Sequence, residues 1–393
     1  MTVHVVTLGC RLNLAESDRI ATLAGPDTVV VNSCAVTAEA TRQSRRAVRK
    51  ARTDHPAARL IVTGCAATIE PDLFAAMPEV DGVVPNEAKL LPETWGAAHR
   101  PSAALAGARA PTRTRAFVPV QTGCDHACTF CVIPQGRGVS RSLPPLEVLR
   151  SVREHLDAGT KEVVLTGVDL TAWGADLSDQ LRLGALVATI LSAFPELPRL
   201  RLSSLDGVEI DDHLFDLIAH HPRVMPHVHL SLQAGDDMVL KRMKRRHTRA
   251  EAVDLVARLR AARPDIAIGA DLIAGFPTET PAMHANSLTL VTECAIVHGH
   301  IFPYRPRPGT PAARMPQVAV QEVRARAAAL REAVAHERAL WLGRLIGKPQ
   351  AVLAERDGTG HSGAFAPHRL PPHARAGEIL TLTPTRIVEG MLA

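Results

Sequence analysis

A regular alternation of short apolar stretches with longer amphipathic ones constrains the fold of this chain more than any other feature. In the first 88 residues, an Arg-rich stretch with helical periodicity, 37–52, lies between two stretches of strand composition. The strand-like stretches are 3–8, 28–31, 59–62 and 80–84. Because strands that alternate with helices pair in parallel, residues 1–90 are predicted to form an open parallel α/β sheet domain.

The alternation resumes over residues 115–344. Six strand-like stretches separated by helical ones are 117–121, 162–166, 199–203, 227–233, 266–273 and 300–304. Six β/α repeats are too many to continue the first sheet and too few for a closed eight-stranded barrel. This region is therefore predicted to form an open, six-stranded partial (β/α) barrel, with a helix over 318–342 at its end.

The segments on either side of this region differ from it in composition. Residues 91–114 are rich in Pro, Ala and Gly, which is typical of a linker. Residues 345–393 are predicted to form a small β module, with strand-like stretches at 350–354 and 378–383 set among Gly, His and Pro. The chain is thus predicted to contain three domains.

Composition limits the classes of function. Hydrophobic residues make up 46% and charged residues 22% of the chain, and its first residues lack the pattern of a cleaved export signal. A cytoplasmic protein with no membrane partner is expected. The net charge of +5 favours a polyanionic partner, but with 3% aromatic residues we expect contacts through Arg and shape rather than extensive base stacking. Seven cysteines without an export signal favour metal binding over disulfides.

The most specific motif is formed by Cys124, Cys128 and Cys131, three thiols within eight residues. An iron-sulfur cluster with four irons is normally held by four cysteines, so a three-cysteine site leaves one iron free for a chelating ligand such as S-adenosylmethionine (SAM). A structural zinc site completed by His126 is the alternative interpretation. It is disfavoured because such sites usually have four ligands arranged as two separated pairs.

A second group consists of Cys10, Cys34 and Cys65, each just beyond the carboxyl end of a predicted strand. Those ends meet at one edge of a parallel sheet, so the three thiols are predicted to converge on a second three-cysteine site. A single cysteine near a strand end is more often a small buried residue, which is the interpretation we give to Cys294.

These motifs resemble known families. The Cys124–Cys131 spacing, with Phe130 before the last cysteine, resembles the signature of the radical SAM superfamily. The stretches 7–13, 31–37 and 61–65 resemble the N-terminal domain of methylthiotransferases, and further similar stretches are 201–205, 229–233, 271–277 and 302–311. Residues 35–40 and 308–312 are most similar to the subgroup that acts on threonylcarbamoyladenosine in tRNA. Related subgroups act on isopentenyladenosine in tRNA or on an aspartate of a ribosomal protein.

The resemblance implies cofactors and ligands. It implies two [4Fe-4S] clusters, one on each cysteine group, and SAM, which is cleaved to a 5′-deoxyadenosyl radical at the Cys124–Cys131 site. A second SAM would methylate sulfur at the other cluster. The candidate residues of the SAM pocket, some of which could instead merely cap strands, are Phe130, Thr166, Gly167, Ser203, Ser204, Gln233 and Asp271.

The resemblance also implies a substrate and partners. The expected reaction is methylthiolation of C2 of N6-threonylcarbamoyladenosine at position 37, in the anticodon loop of tRNA, with a reductase-type protein as electron donor. The family ends in a TRAM domain, a small RNA-binding β-barrel, to which the tail after Gly358 has weak similarity. The basic stretches 42–52 and 241–249 are either solvated helix faces or RNA contacts. A zinc-containing RNA-binding protein is the non-enzymatic alternative.

Overall fold

The computed structural model describes residues 3–96, 114–178 and 181–393. Its N-terminal region is a parallel sheet in which strands β1 to β4 pair in chain order. The strands are β1 (His4–Thr7), β2 (Thr28–Ser33), β3 (Arg59–Gly64) and β4 (Gly82–Val83). The helices of this region are α1 (Arg11–Leu23), α2 (Ala38–Asp54), α3 (Cys65–Ile69) and α4 (Pro71–Ala75). The predicted N-terminal sheet is confirmed.

The first sheet is built from strands with apolar side chains on both faces. All of β2 and nearly all of β3 is buried, which is the usual pattern of a parallel strand covered by helices. Helix α2 begins after Thr37, whose side chain accepts a hydrogen bond from the backbone N–H of Ala40 and so caps the helix. The sheet therefore holds its strand ends in fixed positions, which matters because the N-terminal cysteines follow those ends.

The central region contains two parallel sheets. One has the order β5-β8-β9 and the other β10-β11-β12-β13, and Ser203 alone separates β9 from β10. The strands are β5 (Arg115–Pro119), β8 (Glu162–Thr166), β9 (Arg199–Leu202), β10 (Ser204–Leu205), β11 (His227–Gln233), β12 (Ala267–Ala274) and β13 (Ile296–Pro303). A small antiparallel pair, β6 (Gln121–Thr122) and β7 (Arg141–Ser142), flanks a short helix, α5 (Ile133–Arg137).

Longer helices pack on one face of these strands. They are α6 (Pro145–Asp157), α7 (Leu183–Ala193), α8 (Asp212–His220), α10 (Arg249–Ala262), α11 (Pro281–Glu293) and α12 (Val320–Gly343), whereas the short helix α9 (Asp237–Met243) packs in a separate apolar cluster with Ile273 and Phe276. Alternate strand residues such as Leu165, Leu202 and Leu230 join the helices in one hydrophobic core. The intervening residues project to the opposite side, which we call the inner face. Cys294 is fully buried in the core, as predicted.

The inner face carries charged side chains near the amino ends of the strands. Glu162 is completely buried, and its carboxylate accepts hydrogen bonds from Arg201 Nε at 2.8 Å and Arg115 Nε at 2.9 Å. Burial alone would raise the pKa of Glu162, but Arg201 and Arg115 outweigh this effect and lower the pKa to about 2. Arg115 also pairs with Glu355 at 2.6 Å, so this network connects the central sheet to the C-terminal module.

The C-terminal module is a mixed sheet with the order β17-β14-β15-β16-β19-β18. Its strands are β14 (Gln350–Ala354), β15 (Thr359–Ser362), β16 (Pro367–Arg369), β17 (Ile379–Leu382), β18 (Ile387–Val388) and β19 (Met391–Leu392). The sequence predicted two of these strands. The others are two to four residues long, and β15 and β16 also contain Gly, His or Pro, so these strands lack a readable alternation.

The predicted linker falls mostly outside the described residues, in the segment 97–113. Its first residues form a 3₁₀ turn, Pro92–Trp95, that packs against the N-terminal sheet. The indole N–H of Trp95 donates to the carbonyl of Lys89 at 2.9 Å. Across the described parts of the chain, no helix combines the length and apolar character needed to span a membrane.

Candidate active site at the junction of the first two domains

The N-terminal cysteines lie at one edge of the first sheet. Cys10 follows β1, Cys34 follows β2, and Cys65 begins α3 directly after β3. Gly9 has a φ of +98°, and a Cβ at this position would lie 2.7 Å from Sγ of Cys34, so glycine allows the Cys10 loop to approach Cys34. Burial raises the pKa of Cys34 to about 11, and the neighbouring thiols of Cys10 and Cys65 add to this effect.

The second cysteine group occupies the loop between β6 and α5. Burial is the main reason that the pKa of Cys124 is raised to about 12 and that of Cys131 to about 11, and Cys128 raises both further. The loop begins at Gly123, which has a φ of +74°, and a Cβ there would lie 1.8 Å from the carbonyl oxygen of Val139. This position therefore requires glycine to bring the three thiols together.

Both groups have the chemistry that an iron-sulfur cluster requires. Buried thiols with raised pKa values are poor nucleophiles at neutral pH, whereas a bound metal ion replaces their protons and favours the thiolates. Backbone N–H groups of His126 and Ile133 each lie 3.4 Å from a cysteine sulfur, Cys124 and Cys131 respectively, and such donors stabilise a sulfur that carries negative charge. The residues present therefore fit two clusters.

The two groups lie close to each other. Helix α5 begins two residues after Cys131 and packs on α3, and a Cβ added at Gly136 would lie 3.2 Å from Cβ of Cys65. Nδ2 of Asn86 donates to the carbonyl of Gly136 at 2.5 Å and lies 3.5 Å from Sγ of Cys65. Cys65 is also among the groups that raise the pKa of Cys131. Both cysteine groups thus border a single junction between the two domains.

Several predicted pocket residues lie at the carboxyl ends of the central strands. The hydroxyl oxygens of Thr166, at the end of β8, and of Ser203 are buried and have no hydrogen-bond partner within the described residues. A buried hydroxyl without a partner is costly, so these two atoms fit a polar ligand. Gly167 approaches Gln121 closely, since a Cβ there would lie 2.9 Å from its Oε1.

The remaining predicted residues have different surroundings. Phe130 packs edge-to-face on Phe276, with ring centroids 6.3 Å apart. Gln233 ends β11 with a φ of +66°, and Ser204 is exposed. Asp271 lies inside β12, where its Oδ1 is bound by two histidines rather than facing the end of the strand.

Sequence reasoning missed two side chains that support the cysteine loop. Oε1 of Gln121 accepts hydrogen bonds at 2.9 Å from the backbone N–H groups of Val168 and Asp169, and its Nε2 donates to the carbonyl of Gly123 at 2.9 Å. Arg245 donates to Asp206 at 2.9 Å and its Nη1 lies 3.7 Å from Sγ of Cys128. Neither residue belongs to a recognisable local motif.

The basic stretch 241–249 needs a correction at Arg245 and His247. It was predicted to be a solvated helix face or an RNA contact, but α9 ends at Met243, and the side chain of Arg245 is 7% exposed against the cysteine loop. His247 is also buried, and its Nε2 lies 3.1 Å from the carbonyl of Leu232. The ion pair with Asp206 explains why the charged side chain of Arg245 is buried. Arg245 and His247 therefore support the site from within, whereas the exposed Lys241, Lys244 and Arg246 keep the predicted interpretation.

The alternative zinc site would use a different set of ligands. Nε2 of His126 lies 2.7 Å from Oδ2 of Asp169, and these two residues with Cys124 bring three ligand atoms within 4.8 Å of one another. That set includes one cysteine of the three, whereas the loop brings all three thiols together. The geometry therefore favours the three-cysteine arrangement.

Comparison with known families agrees with this arrangement. The family model of the radical SAM superfamily matches residues 118–291, and that of the uncharacterized protein family UPF0004 matches residues 2–85. A radical SAM methyltransferase from Kitasatospora setae, TsrM, has a similar fold, with a TM-score of 0.54 at 16% identity over 77% of this chain and 67% of that chain. Fold and site thus define a radical SAM protein with an additional cysteine-bearing N-terminal domain.

Similarity to curated proteins extends over nearly the whole chain. It is 43% identical to the threonylcarbamoyladenosine tRNA methylthiotransferase MtaB of Rickettsia prowazekii, over 99% of this chain and 96% of that protein. It is 32% identical to the tRNA-2-methylthio-N(6)-dimethylallyladenosine synthase of Erythrobacter litoralis, over 91% and 87% of the two chains. The chain belongs to the radical SAM methylthiotransferase family.

Proposed function

We propose that this chain transfers a methylthio group to C2 of N6-threonylcarbamoyladenosine at position 37 of tRNA. The observation that carries the proposal is the 43% identity, over nearly the full length of both chains, to a protein named for this substrate. The convergence of two cysteine groups on one junction supports it, since the reaction needs a site that cleaves SAM beside a site that handles sulfur. The alternative substrate is isopentenyladenosine-37, to whose synthases this chain has lower identity.

Each cysteine group would hold one [4Fe-4S] cluster. The ligands would be Cys124, Cys128 and Cys131 for one cluster and Cys10, Cys34 and Cys65 for the other. When bound, the clusters and SAM supply the radical that removes the hydrogen from C2 and the methylated sulfur that replaces it. Each group would leave one iron without a cysteine, and the buried, unpartnered hydroxyls of Thr166 and Ser203 would bind the polar end of SAM.

Three side chains around the cysteine loop would hold the site rigid. Arg245 donates toward Cys128 and stabilises negative charge on its sulfur. Gln121 fixes the start of the cysteine loop against the end of β8, so the thiols and the SAM pocket keep a constant relative position. Phe130 contributes an apolar wall with Phe276 beside the loop, which would help exclude water from a radical intermediate.

The domain organisation fits a protein in which the N-terminal domain holds one cluster and the central domain holds the other cluster and SAM. We infer an N-terminal domain over 1–90, a linker over 91–114, a radical SAM domain over 115–344 whose two sheets together act as a six-stranded partial barrel, and a TRAM-like module over 345–393.

The exposed cations of α2 would contact tRNA phosphates and position the anticodon loop; they include Arg42, Arg46, Arg49 and Lys50. A reductase would supply electrons, in the cytoplasm, where thiols remain reduced.

An assay with purified protein tests the proposal. After anaerobic reconstitution we expect about eight irons and eight sulfides per chain, as two four-iron clusters require. With SAM and a chemical reductant, an anticodon stem-loop that carries threonylcarbamoyladenosine should gain a methylthio group, and one that carries isopentenyladenosine should not. Zinc in place of iron, or the reverse preference for substrate, would contradict the proposal.

A further inference from the structure

Three neighbouring strands place a histidine-aspartate-histidine group on the inner face. Asp271 of β12 lies between His229 of β11 and His300 of β13, and its Oδ1 is 3.0 Å from Nε2 of His229 and 3.0 Å from Nδ1 of His300. The two imidazole rings have centroids 4.5 Å apart. None of these three side chains has a part in the functions assigned above, apart from the sequence-based placement of Asp271 near SAM.

The direction of these side chains follows from their neighbours. A Cβ at Gly299 would lie 2.5 Å from Cγ2 of Val334, so this strand position faces helix α12. The adjacent residue, His300, therefore projects to the inner face. Two residues further along the strands, Ile273 and Phe302 pack in the same apolar cluster as Phe130 of the cysteine loop. His300 thus lies two residues, roughly 7 Å along β13, from Phe302, which belongs to that cluster.

The exposure of the three side chains differs sharply. The side chain of His229 is 8% exposed and that of Asp271 21%, whereas that of His300 is 64% exposed. Burial would raise the pKa of Asp271, but the two histidines lower it to about 2, so the carboxylate remains charged. Because Nδ1 of His300 is bound to Asp271, its Nε2 is the ring nitrogen that remains available. The imidazole of His300 is therefore held in one orientation by Asp271, and its Nε2 faces open space on the inner face.

We propose that His300 forms the subsite that recognises the polar substituent on N6 of the target adenine. This inference rests on the proposed function, because threonylcarbamoyl carries a hydroxyl, N–H groups and a carboxylate, whereas isopentenyl has no hydrogen-bonding atom. N6 is the exocyclic nitrogen on C6 of adenine, and only N1 separates C6 from C2 in the ring, so an N6 substituent lies on the side of the base next to the reacting carbon. A site that hydrogen-bonds its ligand discriminates strongly against an analogue without the polar group.

A divalent metal ion is the competing occupant. The ligand atoms of His229, Asp271 and His300 lie within 4.8 Å of one another, as a metal site would require. The hydrogen bonds account for the same geometry without an ion, and the high exposure of His300 fits a residue that meets a larger ligand. Metal analysis of the holoenzyme separates the two cases.

The test compares His300→Phe, which keeps a flat ring but removes both nitrogens, with wild-type holoenzyme. For a stem-loop that carries threonylcarbamoyladenosine we expect the KM to rise roughly tenfold or more, and for an unmodified stem-loop we expect unchanged binding. His300→Gln should recover part of the loss, because it restores a hydrogen-bonding group. His336→Phe, on the exposed side of α12, is the matched control and should leave both values unchanged.

The outcomes distinguish this inference from the proposed function. Iron and sulfide content and substrate-free SAM cleavage should be the same in wild type and in both His300 variants, which excludes a folding defect. If the wild type methylthiolates the threonylcarbamoyl substrate and His300→Phe does so with unchanged KM, the subsite is wrong and the function stands. If the wild type accepts only the isopentenyl substrate, both are wrong. A stoichiometric zinc ion that is lost in His300→Phe would overturn the subsite in favour of a metal site.

Discussion

Arg137 of the central domain and Glu16 of the N-terminal domain form a buried, two-pronged ion pair. Nη1 of Arg137 is 2.8 Å from Oε1 of Glu16, and Nη2 is 3.0 Å from Oε2. Lys89 reaches the same carboxylate at 2.6 Å. Nη2 of Arg137 also donates at 2.6 Å to Asn13, whose Nδ2 in turn binds the carbonyls of residues 8 and 33, close to Cys10 and Cys34. The pair therefore fixes the first cysteine group relative to the second.

The ion pair predicts a large stability effect at Arg137. Arg137→Gln would leave the buried Glu16 with Lys89 alone, and we expect a loss of about 3 kcal/mol in the free energy of unfolding. Urea denaturation of the full chain measures it. The matched control is Arg153→Gln, since Arg153 and Glu196 are each 48% exposed and such pairs contribute about 1 kcal/mol or less. Equal effects of the two substitutions would contradict the interpretation of the domain junction.

The lowered pKa of Glu162 predicts that the protein loses stability in acid. Its folded-state pKa of about 2 lies below the ordinary value of 4.5, so its stabilising contribution is complete above pH 4.5 and is lost as the pH falls toward 2. We expect the free energy of unfolding of the wild type to fall between pH 5 and pH 3. The Glu162→Gln variant should be less stable at pH 7 and should show a shallower fall. Parallel pH profiles of the two proteins would rule out this role.

Cysteine substitutions should separate the two clusters. Cys34→Ala is expected to lose about four of eight irons and to abolish methylthiolation while it retains SAM cleavage, because the Cys124–Cys131 site is unchanged. Cys294→Ala is the control, since this thiol is fully buried in the apolar core and should retain all iron. Iron and sulfide assays with product analysis report both effects. Retention of eight irons by Cys34→Ala would exclude Cys34 as a ligand.

The bare hydroxyls of the SAM pocket give a further prediction. Thr166→Val removes a buried hydroxyl that has no partner in the described protein and leaves the shape of the side chain unchanged. If this hydroxyl binds SAM, the Kd of the holoenzyme for SAM should rise roughly five- to tenfold, as expected for a lost hydrogen bond of about 1 to 1.4 kcal/mol. Thr189→Val, on the exposed side of α7, should leave the Kd unchanged. An unchanged or lower Kd in Thr166→Val would remove this residue from the pocket.

Sequence periodicity predicted the elements on which the site depends. The cysteine groups could be assigned because parallel strands end at one edge of a sheet, so Cys10, Cys34 and Cys65 converge despite their separation in sequence. Strand β8 and strand β11 have the predicted bounds, and the other predicted strands of the two parallel regions differ by a few residues at their ends. Apolar patterning thus defines which strands form and where cysteines meet.

The supporting contacts could not be predicted in this way. Arg137 and Glu16 are 121 residues apart, and no local pattern shows which buried cation will meet which carboxylate. Arg245 was assigned to a solvated or RNA-binding stretch because charge density carries no information on burial. The inner-face group of His229, Asp271 and His300 depends on strand register, which is fixed by packing across the sheets.

The most direct test of the proposed function is mass spectrometry of tRNA nucleosides from a strain that lacks this chain. We expect that the 2-methylthio form of N6-threonylcarbamoyladenosine disappears, that the unmethylthiolated nucleoside accumulates, and that the wild-type gene but not Cys34→Ala restores the modification. An unchanged level of the methylthiolated nucleoside, or a loss confined to isopentenyladenosine, would contradict it.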